Sequence, residues 1–369
     1  MLLFTPGPTP VPEAVRMAMA GPTIHHRTPE FEAIFKEART RLMRLFGMDE
    51  CVVLASSGTG AMEACVTNLA RKKVLTVNAG KFGERFGKIV QAFGLEHVEL
   101  KYPWDTPADV EDVKAALADD PDIDAFCIQV SESAGGLRHP VEEIAKAIKG
   151  LNPDIMVIAD GITAVGVEPI DTTYIDALIA GSQKALMLPP GMAMIGLSDA
   201  AVARIGEGRG YYFNLASEIA KQRKNTTAYT APTTLIIGLN KVLEMVEAKG
   251  YDRFYRETRA RALATRAALE AVGCVLYPKT PALSMSAVYD EEANMVRDIL
   301  KNEYDVNIAG GQDHLKGKLF RINQMGLIPP YESAWVVNAV EWAYDKMDRR
   351  PYDGTAARVF NEIYQANLS

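Results

Sequence analysis

The chain has 369 residues, 48% apolar and 24% charged, with a formal net charge of −7. This is the balance of a globular protein with a sizeable core and excludes a disordered or fibrous chain. The acidity, with basic residues scattered rather than gathered, argues against nucleic acid as a partner, and no apolar run approaches the roughly 18 to 20 residues of a membrane span.

The N-terminal stretch MLLFTPGPTPVPEAV has neither a basic start nor a sustained apolar segment, so it does not read as a signal peptide. From residue 51, short β-branched runs alternate with amphipathic stretches. CVVLA (51–55) reads as a strand and AMEACVTNLA (61–70) as a helix; KVLTVN (73–78) and KFGERFGKIVQAFG (81–94) repeat the pair. HVELKY (97–102) precedes a helix near 107–118, and DAFCIQV (124–130) precedes one near 140–149. DIMVIAD (154–160) is a strand that ends in an aspartate. Such alternation predicts βαβ units, hence an α/β fold with a mainly parallel sheet and ligands at the carboxyl ends of its strands.

Beyond about residue 200 the order changes. SEIAKQRK and TTLIIGLNKVLEMVEAKG read as helices, the second stopped by Gly250. A long helix over 251–272 follows, then strands in LSMSAVY (283–289), DVNIAG (305–310) and KLFRIN (318–323), and a closing helix over 330–348. The expectation is a large α/β domain over 1–250 and a small α+β domain over 251–369, with residues 1–20 packed at the active site or against the small domain.

Cys51, Cys65, Cys127 and Cys274 lie far apart without CxxC spacing and are expected to be reduced, as in a cytoplasmic protein. The five histidines have no ligand spacing, so no metal site is expected.

Five places could carry chemistry. In ASSGTGAMEA (55–64), Ser57, Gly58 and Thr59 stand at a helix N-terminus, where backbone N–H groups and the helix dipole attract an anion; a capped tight turn is the alternative. Asp160 closes a strand toward the ligand crevice, where it either caps the turn or holds a cationic ring nitrogen or a ribose hydroxyl. Lys184, in GSQKALMLPPG (181–191), is the only ionisable residue for several positions on either side, so it is either a loop lysine or an amine kept for reaction. Arg321 is the only arginine in GKLFRINQMG, and suits a substrate carboxylate or a structural ion pair. Phe82 could stack on a planar ring or belong to the core. A phosphate anchor, a partner for a pyridinium nitrogen and an amine for a Schiff base are together what pyridoxal 5′-phosphate requires of a protein.

These stretches, with TPGPTPVP near the start, HRTPEF (26–31) and NAGKFGER (78–85), resemble in order and spacing the class V, fold type I pyridoxal-phosphate aminotransferases. Within them the chain is similar to the alanine–glyoxylate and serine–glyoxylate (serine–pyruvate) group. The resemblance implies that Lys184 is the Schiff-base lysine and Gln183 a phosphate ligand beside it. It also implies that Ser57, Gly58 and Thr59 cradle the phosphate, Phe82 stacks on the ring, Ile162 packs against it, and Asp160 pairs with its nitrogen. Thr227 and Thr230 would reach the phosphate of the other subunit of a homodimer, and Arg321 would hold the substrate carboxylate.

The group often carries E(S/T)STG where this chain has Glu132, Ser133, Ala134, Gly135 and Gly136, so Ser133 alone keeps a hydroxyl near the cofactor. The activity implied is ping-pong transfer of an amino group from alanine or serine to glyoxylate or pyruvate. Alternatives are a lyase or desulfurase reaction on a small amino acid, or a catalytically silent interaction subunit of the same fold. A desulfurase would need a mobile nucleophilic cysteine, and Cys274, before an apolar VLY, looks like core.

Overall fold

The β-branched runs form two main sheets in the computed structural model, which describes residues 1–368. The strands are β1 (Leu2–Phe4), β2 (Glu50–Leu54), β3 (Lys73–Asn78), β4 (Glu96–Lys101), β5 (Ile123–Gln129), β6 (Ser131–Glu132) and β7 (Leu137–Arg138). They continue with β8 (Met156–Asp160), β9 (Ala177–Gly181), β10 (Ala193–Leu197), β11 (Val275–Leu276), β12 (Met285–Tyr289), β13 (Val306–Gly310) and β14 (Leu319–Asn323).

Seven of them make a sheet in the order β2-β10-β9-β8-β5-β3-β4, in which only β10 runs against its neighbours. Alternate side chains of each strand enter opposite faces. Val53, Val77, Phe126, Ile128 and Val157 join one apolar cluster, while Val52, Val74, Cys127, Ile158 and Ile195 join another on the other side. Both faces are covered, which is why these strands are apolar throughout rather than alternating.

Helices α1 (Glu13–Met19), α2 (Pro29–Phe46), α3 (Gly58–Leu69) and α4 (Lys81–Ala92) come next to these strands in the chain. In α2, Phe31, Phe35, Ala38, Leu42 and Phe46 recur at steps of three and four and are buried, each large side chain adding about 1.5–3 kcal/mol. Thr28 caps its start through a bond from the Phe31 N–H, and Gly47 ends it with φ 65°, in the left-handed region that glycine tolerates. α3 begins three residues earlier than its apolar pattern suggests, because Gly58, Thr59 and Gly60 already take helical geometry after the extended N-cap Ser57.

The second sheet has the order β1-β13-β14-β12-β11 and is mostly antiparallel, with β1 added parallel to β13. Its inner face packs on helices Tyr251–Ala271, Ala293–Glu303 and Pro330–Lys346. The chain does not close with the helix after Pro330: a further helix, Thr355–Ala366, follows and buries Ala356, Phe360 and Tyr364 at i, i+4 and i+8.

Candidate active site

β2, β3, β5, β8 and β9 run in one direction, so the loops after them open on one edge of the large sheet. The chain reverses its order there, β4 lying on one side of β3 and β5 on the other, which is where α/β sheets open a crevice. The loops carry Ser57, Phe82, Ser133, Asp160 with Ile162, and Gln183 with Lys184. Arg321 arrives from β14 of the other sheet.

Ser57 is the N-cap residue of α3 but makes no side-chain bond back to the helix. Among the described residues, the N–H groups of Gly58, Thr59 and Gly60 have no acceptor, and they sit at the positive end of the helix dipole. Gly58 leaves room for Ile162, since a Cβ there would lie 2.2 Å from Ile162 Cδ1 and push that side chain aside. Ile162 in turn donates its N–H to Asp160 Oδ1 at 2.9 Å. Asp160 is buried, and burial raises its carboxyl to about 6 against the pull of that N–H, Lys184 and Arg85.

Lys184 follows β9 by three residues. Burial, reinforced by the Arg321 charge, lowers its amine to about 8, with Asp160 opposing the shift. Its Nζ donates to the Pro6 carbonyl at 2.6 Å, and the Thr9 hydroxyl donates to the Lys184 carbonyl at 2.6 Å. The N-terminal segment is thus laid across the lysine. Gly7 leaves room for it, because a Cβ there would fall 2.4 Å from Nζ.

Arg321, buried in β14, donates from Nη1 to the Ser133 carbonyl at 2.6 Å and from Nε and Nη2 to the Gly310 carbonyl at 3.1 and 2.6 Å. It makes no ion pair among the described residues, and burial lowers it to about 10, with Glu132 opposing. Phe82 is half-buried in the first turn of α4, with the Arg85 guanidinium 4.6 Å from its ring centroid. Arg85 also donates to the Thr59 hydroxyl at 2.8 Å.

Ser57, Gly58, Thr59, Asp160, Ile162, Gln183, Lys184, Phe82, Ser133 and Arg321 are therefore brought to one edge of the sheet. Thr227 and Thr230 are not joined to them by any hydrogen bond among the described residues. They line a shallow cleft with Ala55, Tyr212 and Tyr229, where the Thr227 hydroxyl donates to the Tyr229 carbonyl and Thr230 is exposed. The departure at 135 has a local cause. A Cβ on Gly135 would lie 2.5 Å from the Trp104 carbonyl oxygen, so the Trp104 backbone occupies the space a threonine would need.

Glu132 stands first in the stretch compared with E(S/T)STG but was given no role there, although it holds the site from behind. It is fully buried, and its carboxylate accepts N–H bonds from Phe82, Gly83 and Ala134, each at 2.9 Å. Its place in that motif was the available signal. Arg85 was likewise overlooked, and Pro6 and Gly7 were expected near the site only as part of residues 1–20, without a role.

A seven-stranded, mainly parallel sheet flanked by helices, with a lysine, an aspartate and a helix N-terminus on its carboxyl edge, is the architecture of the fold type I aminotransferases. Residues 2–315 match the class V aminotransferase family model, and the chain belongs to that family. It is an enzyme of the transferase type. An "uncharacterized aminotransferase" of Helicobacter pylori is 52% identical over 366 residues, covering 99% of each chain. A serine–glyoxylate aminotransferase of Methylorubrum extorquens is 30% identical over 346 residues, covering 88% of this chain and 86% of that one. Among solved structures, an aspartate aminotransferase of subgroup IV from Thermus thermophilus superposes with a TM-score of 0.88 at 32% identity, covering 94% of this chain and 99% of that one.

Proposed function

We propose that this aminotransferase depends on pyridoxal 5′-phosphate and moves the amino group of a small amino acid, alanine or serine, to glyoxylate or pyruvate in a ping-pong sequence. We further propose that it works in the cytoplasm as a homodimer with shared active sites, and that residues 1–250 and 251–369 are its large and small domains. The observation that carries the reading is the desolvated Lys184 amine set on one crevice with Asp160, Arg321 and the open N-terminus of α3.

The residues fit the cofactor. Three unbonded N–H groups at the start of α3, with the Ser57 and Thr59 hydroxyls and the Gln183 amide, suit a phosphate, and the glycine at 58 leaves the cradle open beside Ile162. Bound there, pyridoxal 5′-phosphate would supply an aldehyde for covalent capture of an amine and a ring that accepts electrons.

The protein's own contribution follows from its charges. Asp160, at about 6, is an anion at neutral pH and would keep a ring nitrogen protonated. Arg321 offers a guanidinium with no carboxylate partner among the described residues, suited to bidentate binding of the substrate carboxylate. Lys184, at about 8, is partly neutral near pH 7.5, so its Nζ can take a proton from the substrate α-carbon and return it. The desulfurase alternative is disfavoured, because Cys274 is buried, its thiol is pushed up to about 12, and it bonds to the Tyr344 hydroxyl.

Purified protein should form 2-oxo acid from alanine or serine in amount equal to the cofactor, and catalytically only when glyoxylate or pyruvate is added. Lys184→Ala should abolish turnover. Continuous oxo-acid release without an acceptor, or an active Lys184→Ala protein, would overturn the proposal.

A further inference from the structure

Glu132 stands between two parts of the site that come from different sheets. Through Oε2 it accepts the N–H groups of Phe82 and Gly83, in the first turn of α4. The residue at the N-cap of that helix, Gly80, has no side chain to offer, and a Cβ there would lie 2.4 Å from Glu132 Cδ. The carboxylate of a distant strand thus serves as the cap, and its charge lies at the positive end of the α4 dipole. Through Oε1 it accepts the Ala134 N–H, which fixes the turn whose Ser133 carbonyl receives Arg321 Nη1. Its negative charge also supports the buried Arg321 guanidinium.

A fully buried carboxylate is costly when, as for Glu132 among the described residues, it has no ion pair, and burial raises this one to about 7. A serine or asparagine at the start of α4 would cap the helix at lower cost but would have no connection to Arg321. We infer that Glu132 is a positioning residue, which sets Phe82 against the cofactor ring and the Ser133–Arg321 pair toward the substrate carboxylate as one unit. The inference rests on the cofactor-dependent reading above.

Glu132→Gln keeps the size of the side chain but offers one acceptor oxygen to three N–H groups, with an NH2 forced against them. Wild type, Glu132→Gln, Phe82→Leu and the double variant, each stripped of cofactor, are titrated with pyridoxal 5′-phosphate and followed by absorbance and visible circular dichroism. Affinity for propionate, a carboxylate without the amine, is then measured on the loaded proteins. Glu132→Gln should bind the cofactor about tenfold or more weakly, with a changed visible dichroism band, and should lose propionate affinity as well. The double variant should lose little more cofactor affinity than Phe82→Leu alone, because both changes act through the same ring.

Wild-type affinities in Glu132→Gln, additive losses in the double variant, or a lowered melting temperature with binding intact would each overturn the inference. If Glu132→Gln does not fold, Glu132→Asp, which keeps the charge one methylene short, undergoes the same titrations under the same criteria. Failure of the wild type itself to bind the cofactor would sink the cofactor reading and this inference with it.

Discussion

Lys184→Met in the cofactor-free protein tests the electrostatics of the site directly. The lysine amine falls from 10.5 to about 8 on folding, chiefly because burial removes it from water and secondly because Arg321 repels it. At about 1.4 kcal/mol per tenfold change in proton affinity, that fall amounts to about 3 kcal/mol of destabilisation while both folded and unfolded chains hold the proton. Because the folded value is the lower one, the unfolded chain binds more protons between pH 8 and 10.5. The cost is therefore complete below pH 8 and is relieved as pH rises through that window.

Methionine has similar length and no charge, so it removes the cost at every pH. It also removes the bond to the Pro6 carbonyl, which returns about 1–1.5 kcal/mol of the gain. Urea unfolding at pH 7.5 should therefore show the variant about 1–2 kcal/mol more stable than wild type. The advantage should disappear or reverse by pH 10.5. A stability difference that stays constant from pH 7.5 to 10.5 would refute the reasoning, because it would mean that Lys184 is not desolvated in the folded protein.

Other expectations concern the loops around the lysine. Arg321→Lys keeps the charge but loses the planar fork, and should raise KM for the amino acid about ten- to a hundredfold with a smaller change in kcat, read by steady-state kinetics. Asp160→Asn should lower kcat about a hundredfold or more while the protein stays folded by circular dichroism, since it removes the anion proposed to pair with the ring nitrogen. Gly135→Thr, which installs the residue common in the family, should cost about 1–3 kcal/mol in chemical unfolding, because its Cβ meets the Trp104 backbone and cannot be relieved by a side-chain rotation. A Gly135→Thr protein as stable as wild type would mean that the Trp104 segment moves freely.

The α/β alternation from residue 51 to 160 was legible because strand and helix impose periods of two and 3.6 on neighbouring residues, and these survive in a single sequence. Lys184, Asp160, Ser57 and Arg321 were legible for a related reason: each is a polar group in an apolar or glycine-rich setting, which local composition exposes. The final helix over 355–366 was missed although Ala356, Phe360 and Tyr364 follow a clear four-residue step, since the element before it already seemed to close the chain.

What the residue order determined by itself was the set of polar groups that the proposed function assigns to a phosphate, a ring nitrogen and a carboxylate. Only the tertiary structure decided how they meet, because the contacts that hold them cross 50 to 188 residues of chain. Pro6 and Gly7 pack on Lys184 only because β1 joins the second sheet and brings the N-terminal segment back over the first. Glu132 reaches Phe82 only because β5 lies beside β3, which places the loop after one against the helix after the other. Hydrogen bonds of this kind depend on distances of about 3 Å between chain segments, and no periodicity or composition along one segment encodes them.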